Sequence, residues 1–428
     1  MKKGFLLGAG FSYDFGMPLA SELTEIFFAP FNEYSIQNLV HVLSQNNPYG
    51  AERPINQETI LECLTLLLKY KNENQNNKNE KDYKPKNYEQ FLADIQQLEE
   101  FPNKTLSDKD SYSYLFSFFY EIIHSILLSY QEISFGGLYC KNREWFSNFC
   151  KLLSDQETWV FTLNHDIYLE ALAVDLNIPI TYGDSGNISF PISNNEMGKT
   201  ISLTYSKRCE LTKNNQNFYQ GQFGINLVKL HGGLSELEYK DRSIICNQTL
   251  NKKSSFELMV DFMKVKNMAY YHGGRKEPSG KDRVITNSDG ELDIIVKSML
   301  TGGKKYSKTT NPKDGEEKLL IFDDAMRTLD ELSIIGYGFG DKHINNRISN
   351  AMVLNSNLKI VIIDPVHNPL PDFLEQFHYN LRIKKVQCGI AHWIEYCYTG
   401  EWNYQQVEAL KANEQERINI RKSVEKRL

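Results

Sequence analysis

Paired cysteines are missing from this sequence. It contains seven cysteines, and no two of them have the Cys-x-x-Cys spacing. They are scattered along the chain as Cys63, Cys140, Cys150, Cys209, Cys246, Cys388 and Cys397. An odd, unpaired set argues against a disulfide framework and against a zinc site built from paired cysteines. We therefore expect a reduced, cytoplasmic protein that holds no metal.

Long hydrophobic runs are also absent. The apolar run near the N-terminus covers only residues 5–7, far short of the ~7–15 residues of a signal-peptide core. The most apolar segment, residues 114–130, contains Glu121 and His124 and is shorter than the ~20 apolar residues that span a bilayer. Its apolar residues recur every three or four positions, which predicts a core helix and no membrane partner.

The chain has no excess of basic residues. Its 48 Lys and Arg against 54 Asp and Glu give a net charge of −6 and a pI of about 5.9. Such a balance argues against a protein that binds nucleic acid directly. Residues 264–283 form a local basic, glycine-bearing stretch, which is typical of a solvated face and, as the alternative, of a phosphate-contacting patch.

What is present begins with the stretch "FLLGAGFSYDFGMP". Residues 5–7 predict a buried strand, and Gly8 and Gly10 follow at a sharp turn. Such glycines let a backbone approach an anion, and a β-carbon at Gly10 would project into the space for a phosphate. The match to the dehydrogenase fingerprint is poor, because Tyr13 stands where its third glycine would be. A purely structural turn is the alternative.

Four further apolar runs each end in a polar cluster. They cover residues 159–166, 225–233, 332–341 and 359–365. Ligands of open parallel sheets bind beyond the carboxyl ends of the strands, so these clusters are expected to converge. The sequence therefore predicts an α/β fold, a Rossmann-like parallel sheet with flanking helices plus an inserted helical subdomain.

The predicted organisation is discontinuous. Residues 1–30 and 155–400 form the Rossmann-like domain, with insertions near 181–224 and 235–317. Residues 31–154 form a mainly helical inserted subdomain, interrupted by a polar loop at residues 71–87, and residues 401–428 form a C-terminal helix.

Three short motifs follow one another in a recognisable order. They are "GAGFSYDFGMP", "TLNHD" at residues 162–166 and "HG" at residues 231–232. Together they resemble the sirtuin superfamily, whose members show Gly-Ala-Gly-x-Ser with Gly-x-Pro, then Thr-x-Asn-x-Asp, then His-Gly. The later stretch "IIGYGFGDKHINN" resembles the Gly-Tyr-Ser-Phe-x-Asp-x-x-Ile-Asn signature of a bacterial branch that works in antiphage defence, with Gly338 in place of the serine.

The resemblance implies NAD+ binding and cleavage of the nicotinamide–ribose bond. Asn164 would hold the nicotinamide ribose and the attacking water, and His231 would contact the ribose hydroxyls. The implied binding residues are Gly8, Ala9, Gly10 and Ser12 at the pyrophosphate, Thr162 and Asp166 at the loop that carries Asn164, and Gly336, Tyr337, Gly338, Phe339 and Asp364 at the adenosine half.

Residue chemistry agrees with these roles. Nicotinamide leaves from a cationic state, so the enzyme must stabilise an oxocarbenium-like centre and place a water beside it. The amide of Asn164 can place that water, and a neutral imidazole at His231 can accept a proton near pH 7.

Structural alternatives stand beside these roles. An Asn after a strand is also typical of a turn, and His-Gly-Gly is also typical of a bend with an exposed ring. Asp341 is expected to cap the helix that follows it, and His343 and His165 are given no catalytic role.

The favoured function is hydrolysis of NAD+ to nicotinamide and ADP-ribose, with NAD+ as substrate and no metal. Many protein-deacylating sirtuins continue Gly-x-Pro with Asp-Phe-Arg and carry four zinc-binding cysteines, whereas here Leu19, Ala20 and Ser21 follow and no cysteines are paired. A module that senses NAD+ or ADP-ribose without catalysis is the main alternative, and a zinc-independent protein deacylase is the other.

The resemblance further implies depletion of NAD+ in antiphage defence by abortive infection. Activation would come from assembly into a homo-oligomer or from a separate trigger protein, such as an ATPase or an Argonaute-like partner. Few residues remain for a separate sensor after the last predicted strand, which favours a trigger outside the catalytic domain.

Overall fold

A computed structural model gives the structure of residues 1–45, 55–76, 87–101, 103–191, 200–266, 271–272, 275–276, 282–286, 292–299 and 316–428. Its strands are β1 Lys3–Leu7, β2 Glu157–Thr162, β3 Ile180–Thr181, β4 Gly186–Pro191, β5 Thr200–Lys207, β6 Gly224–Lys229, β7 Leu237–Tyr239, β8 Ile244–Gln248, β9 Tyr271–His272, β10 Arg275–Lys276, β11 Asp282–Thr286, β12 Leu292–Lys297, β13 Glu331–Ile335, β14 Lys359–Ile363 and β15 Ile383–Val386.

The helices lie between and after these strands. They are α1 Ala9–Tyr13, α2 Ala20–Phe28, α3 Glu33–Gln45, α4 Gln57–Asn76, α5 Tyr88–Glu100, α6 Leu106–Ser134, α7 Cys140–Asn142, α8 Tyr168–Asp175, α9 Ser255–Lys266, α10 Glu316–Met326, α11 Lys342–Leu354, α12 Asp372–His378, α13 Ile390–Thr399, α14 Tyr404–Lys411 and α15 Glu414–Glu425. A π-helical turn covers Phe135–Tyr139, and 3₁₀ turns cover Arg143–Phe146, Phe149–Leu152 and Arg208–Glu210.

The main sheet has seven parallel strands in the order β15-β14-β13-β1-β2-β6-β3. Its apolar strand residues are buried on both faces, as in the fully covered runs of β1, β6 and β14. The five strands predicted from apolar runs are β1, β2, β6, β13 and β14, and they lie side by side. The predicted α/β class with a Rossmann-like parallel sheet is confirmed.

The strand order reverses between β1 and β13. From β1 the chain adds β2 on one side, whereas β13, β14 and β15 are added in sequence on the other side. A crevice beyond the carboxyl ends of two such strands is the usual ligand site of an open parallel sheet. The loop that starts at Gly8 and the loop that starts at Gly336 both begin at this point.

A second sheet was not foreseen from the sequence. Six antiparallel strands pair in the order β11-β12-β7-β8-β5-β4, and they come from the two segments described above as insertions. Its buried apolar side chains are Phe190, Ile201, Leu203, Leu237, Tyr239, Cys246 and Ile295, with Val265 packed among them.

The helical part confirms one expectation and corrects another. Residues 114–130 lie inside α6 and bury Leu115, Phe119 and Ile123, as a core helix should. The predicted loop at residues 71–87 is wrong at its start, because α4 continues to Asn76. Residues 77–86 of that loop, and most of the basic stretch 264–283, lie outside the described residues.

The chain divides into two compact units. Of the described residues, one unit contains Met1–Met17, Tyr130–Met299 and 316–421, and with them the two large sheets; the other contains Pro18–Ser129 and Lys422–Leu428. All of the predicted site residues belong to the first unit. Among the helices that the structure describes, none combines the length and hydropathy needed to cross a bilayer.

Candidate functional site

The glycine loop after β1 is packed directly against the loop after β13. The N–H of Gly8 donates to the carbonyl of Ile335 at 2.9 Å, and the N–H of Gly10 donates to the carbonyl of Gly336 at 3.0 Å. A β-carbon built on Gly10 would lie 2.6 Å from the Cα of Gly336. One on Gly8 would lie 2.5 Å from the carbonyl oxygen of Gly336.

These contacts change the interpretation of the glycines. The expectation that a Gly10 β-carbon would project into phosphate space is wrong, because it would meet the backbone of the neighbouring loop. Gly336 has φ of +60°, a left-handed conformation that favours glycine because a β-carbon would crowd the backbone there. The glycines at this point therefore hold two loops together, and two of their N–H groups are already used.

Asn164 connects the loop after β2 to the glycine loop. Its Nδ2 donates to the carbonyl of Gly8 at 2.9 Å and to the Oγ of Ser12 at 3.0 Å. Its backbone N–H donates to the Oγ1 of Thr162 at 3.0 Å. In the described part of the chain its Oδ1 accepts no hydrogen bond, so the amide oxygen is the end of the group that is left for a ligand or a water.

Asp166 stabilises the loop after β2 that carries Asn164. Its Oδ1 accepts the N–H of Tyr168 at 3.0 Å, and its carboxylate also accepts the hydroxyl of Ser12. Burial raises the pKa of Asp166, and the charge of Lys229 works against that rise. These contacts hold the loop in place, and a role of Asp166 in NAD+ binding stays a prediction.

Lys229 is a buried cation to which no sequence motif gave a role. Its Nζ donates to the backbone carbonyl of Asp166 at 2.6 Å and pairs with Glu170 at 2.6 Å, and both side chains are almost fully buried. The hydroxyl of Tyr182 donates to the same Glu170 carboxylate at 2.9 Å. Because the pair is buried and satisfied, it fixes β6 against the start of α8.

His231 lies in a cluster with two other titratable side chains. Its Nε2 is 3.0 Å from the Oδ2 of Asp341, and the Nδ1 of His343 is 2.8 Å from the Oδ1 of the same carboxylate. The side chain of His231 is only 2% exposed, which contradicts the alternative of a bend with an exposed ring. The sequence signal for this cluster was the Asp-x-His spacing that follows "GYGFG".

Asp341 is the N-cap residue of α11, as the sequence predicts. Its side chain makes no capping hydrogen bond and instead faces the two imidazoles. Its backbone is held by Tyr337, whose hydroxyl accepts the N–H of Asp341 at 3.2 Å and donates to the Oδ1 of Asn345 at 2.9 Å. Asn345 in turn donates to the carbonyl of Phe339 at 2.8 Å.

The rest of the loop after β13 divides into buried and open positions. The ring of Tyr337 is buried, and its centroid is 4.9 Å from that of Phe339, a non-glycine residue at φ of +54°. A β-carbon on Gly338 would meet nothing within 4 Å. Asp364 follows β14, and its Oδ1 accepts the N–H of Val366 at 2.8 Å.

The structure thus brings together residues that follow four neighbouring strands, β1, β2, β6 and β13. Gly8, Gly10 and Ser12 contact Asn164 or Gly336, and His231 contacts Asp341 of the Gly336 loop. A further link joins the motifs, since the Nδ1 of His165 is 3.3 Å from the carbonyl oxygen of Gly232. Ala9 follows β1 and Asp364 follows β14, so both lie at the same edge of the sheet as the cluster.

Comparison with known proteins adds distant similarities only. No protein-family model and no curated protein matches the chain. Among solved structures, one described as "The Structural basis of Sirtuin Substrate Affinity" is 10% identical, with 92% of each chain covered and a TM-score of 0.32. A second, "The Structural basis for Sirtuin Substrate affinity", is 10% identical, covers 92% of this chain and 90% of its own, and has a TM-score of 0.29. Similarities this distant add nothing to the chemistry of the site.

Proposed function

We propose that this protein hydrolyses NAD+ to nicotinamide and ADP-ribose. The observation that supports this best is the register of two neighbouring strands. Thr162 of β2 pairs with Lys229 of β6, and Asn164 and His231 each follow their paired residue by two positions. Parallel strands therefore carry an amide and an imidazole to the same level of one sheet edge, next to the point where the strand order reverses.

The proposed mechanism gives each of these groups a separate task. The Nδ2 of Asn164 is held by Gly8 and Ser12, which leaves its Oδ1 to orient a water toward the carbon that loses nicotinamide. Nicotinamide leaves as a neutral molecule from a cationic ring, so no acid is needed for its departure. His231 accepts a proton from a ribose hydroxyl or from the water, and Asp341 fixes the orientation of its ring.

The burial of His231 favours a closed resting form. With 2% of its side chain exposed, His231 reaches a dinucleotide only after the surrounding groups move. We therefore propose that the resting protein turns over slowly and that a trigger opens the site. In this proposal the protein acts in the cytoplasm in antiphage defence, and its trigger is homo-oligomer assembly or a partner such as an ATPase or an Argonaute-like protein.

The decisive test is a nicotinamide-release assay with the full chain and NAD+, with and without the product of the neighbouring gene. We expect release from the unaltered protein and at least a ~10²-fold loss in Asn164→Ala, since positioned polar groups of this kind contribute about 10²–10⁴-fold. Asn187→Ala changes an exposed asparagine of β4 and serves as the matched control. Equal turnover in both variants, with equal melting temperatures, would remove Asn164 from the mechanism.

The same burial favours a second candidate, a module that binds NAD+ or ADP-ribose without cleaving it. Calorimetric titration separates the two. Binding of NAD+ with no nicotinamide release under any trigger condition supports the sensor, whereas release supports the hydrolase. Release of acyl groups from an acyl-lysine peptide would instead support the zinc-independent deacylase.

A further inference from the structure

The His231, Asp341 and His343 side chains converge from two separate segments of the chain. His231 follows β6, whereas Asp341 and His343 stand at the first turn of α11. One ligand atom of each side chain can be chosen so that all of them lie within 4.8 Å of one another. The side chains of Asp341 and His343 are 7% and 24% exposed, so the cluster is buried on one side and reaches solvent on the other.

Two imidazoles and one carboxylate form a ligand set of borderline hardness. Such sets select first-row divalent ions such as Zn²⁺ or Co²⁺ over Mg²⁺, which prefers oxygen ligands only. Metal–ligand bonds of about 2.1 Å place neighbouring ligand atoms about 3.0–3.4 Å apart. The Nε2 of His231 lies 3.0 Å from Oδ2 of Asp341 and the Nδ1 of His343 lies 2.8 Å from Oδ1, which is close to that spacing. The ligand atoms that lie up to 4.8 Å apart must move closer together when an ion binds.

The surroundings supply orientation and access. Tyr337 holds the backbone of Asp341, which fixes the carboxylate between the two rings. A cavity of about 350 Å³ reaches His343, and it is also lined by Asn346, Arg347 and Asn350 of α11. An ion can approach the exposed side of the cluster through this cavity.

We propose that His231, Asp341 and His343 bind one divalent transition-metal ion. Three protein ligands leave a position for water. This site differs from the cysteine site that the sequence argues against, because none of its ligands is a thiolate. It runs counter to the sequence prediction of no metal, which considered cysteine spacing alone.

Metal binding has a consequence for catalysis that rests on the proposed function. An ion on Nε2 of His231 holds the neutral ring in the tautomer that carries its proton on Nδ1, so Nδ1 can no longer accept a proton in the hydrolysis. The metal-loaded form is therefore the inactive form, and removal of the ion releases His231.

The test is a Co²⁺ titration of the chelator-treated full chain, followed by visible d–d absorption and calorimetry. We expect one ion per chain in the unaltered protein and loss of the absorption in Asp341→Ala. In His343→Ala the Co²⁺ affinity should fall at least ~10-fold. A change that only disturbs the groups around the ligands of a metal already costs about 10–100-fold, and this variant removes a ligand. His367→Ala removes an exposed histidine outside the cluster and should bind as the unaltered protein does.

The possible outcomes test the metal site and the proposed NAD+ hydrolysis independently. Unchanged Co²⁺ affinity in both His343→Ala and Asp341→Ala, with circular dichroism showing folded protein, would overturn the metal site. If the chelated protein releases nicotinamide, Zn²⁺ should inhibit it, and the Zn²⁺ concentration that halves activity should rise at least ~10-fold in His343→Ala, with each protein compared with its own metal-free activity. Specific Co²⁺ binding in a chain that never cleaves NAD+ would leave the metal site standing and refute the hydrolase.

Discussion

Gly10 and Gly336 show how a glycine can be required by packing rather than by a ligand. A β-carbon on Gly336 would lie 2.4 Å from the Cα of Gly10, and one on Gly10 would lie 2.6 Å from the Cα of Gly336. Both clashes are with backbone, which cannot swing away as a flexible side chain can. A nucleotide-binding role for this loop must therefore be tested by ligand binding, because the presence of the glycines alone does not show it.

We expect Gly10→Ala to destabilise the protein by about 1–3 kcal/mol, the usual cost of forcing an extra carbon into a packed site. The sequence alone led to a different emphasis, that a side chain at Gly10 would abolish NAD+ binding and lower stability only modestly. Urea unfolding measures the difference. Gly338→Ala is the control from the neighbouring loop, since its β-carbon meets nothing within 4 Å. Equal free energies of unfolding for the two variants would contradict the packing argument.

At the scale of elements, the sequence predicted five of the seven strands of the main sheet and missed the two at its edges, β3 and β15. The residues of those five form unbroken apolar runs because both faces of a parallel sheet are covered, and the polar cluster after each run marks its carboxyl end. The motifs carried Asn164, Asp166 and His231 to one edge for the same reason. The local sequence pattern was therefore enough to predict those strands that are buried along most of their length.

The remaining features depend on contacts between distant segments. The second sheet is built from short strands such as β7 and β8, which pair with each other and also with β12 and β5 from more distant parts of the chain. Asp341 has the local pattern of a helix cap, and only the fold shows that its carboxylate faces His231. The backbone contact between Gly10 and Gly336 is likewise invisible in either loop alone.

Asp184 connects the segment before β4 to two strands of the second sheet. Its carboxylate accepts hydrogen bonds from Thr204, from Ser206 at 3.1 Å and from Asn247 at 3.0 Å. Burial nevertheless raises its pKa from 3.8 to about 6, with the hydrogen bonds acting in the lowering direction. Between these pH values the folded chain holds a proton that the unfolded chain has lost.

Raising the pH through that window therefore lowers the free energy of unfolding. A shift from 3.8 to about 6 corresponds to about 3 kcal/mol at roughly 1.4 kcal/mol per pH unit. In Asp184→Asn this contribution is gone, so the stability of the variant relative to the unaltered protein should rise by about that amount between pH 3.5 and pH 7.5. Urea unfolding at several pH values gives the difference, and Asp155→Asn, at an exposed carboxylate, is the control. If the difference in free energy of unfolding between Asp184→Asn and the unaltered protein does not depend on pH, the raised pKa of Asp184 is refuted.

At the scale of the whole molecule, the candidate site residues and the helices α2 to α6 belong to different units. The unit with both sheets holds Asn164, His231 and the loop at Gly336, whereas the unit around Pro18–Ser129 is built from helices α2 to α6, apart from the end of α6. The cysteines follow no such division. Cys63 belongs to the helical unit and the other six to the unit with the sheets, and all seven are free.

The reactivity of these thiols should follow their burial. Cys140, Cys150, Cys209 and Cys397 are exposed, whereas Cys63, Cys246 and Cys388 are buried. Burial raises the pKa of Cys63 and of Cys388 to about 12, so these groups carry almost no reactive thiolate at neutral pH. We expect a thiol-exchange reagent such as Ellman's reagent to modify four groups quickly in the folded protein and all seven once a denaturant unfolds it without reductant. Fewer than seven in the denatured protein would show that some cysteines are paired or modified, and rapid reaction of all seven before unfolding would show that the buried thiols are accessible.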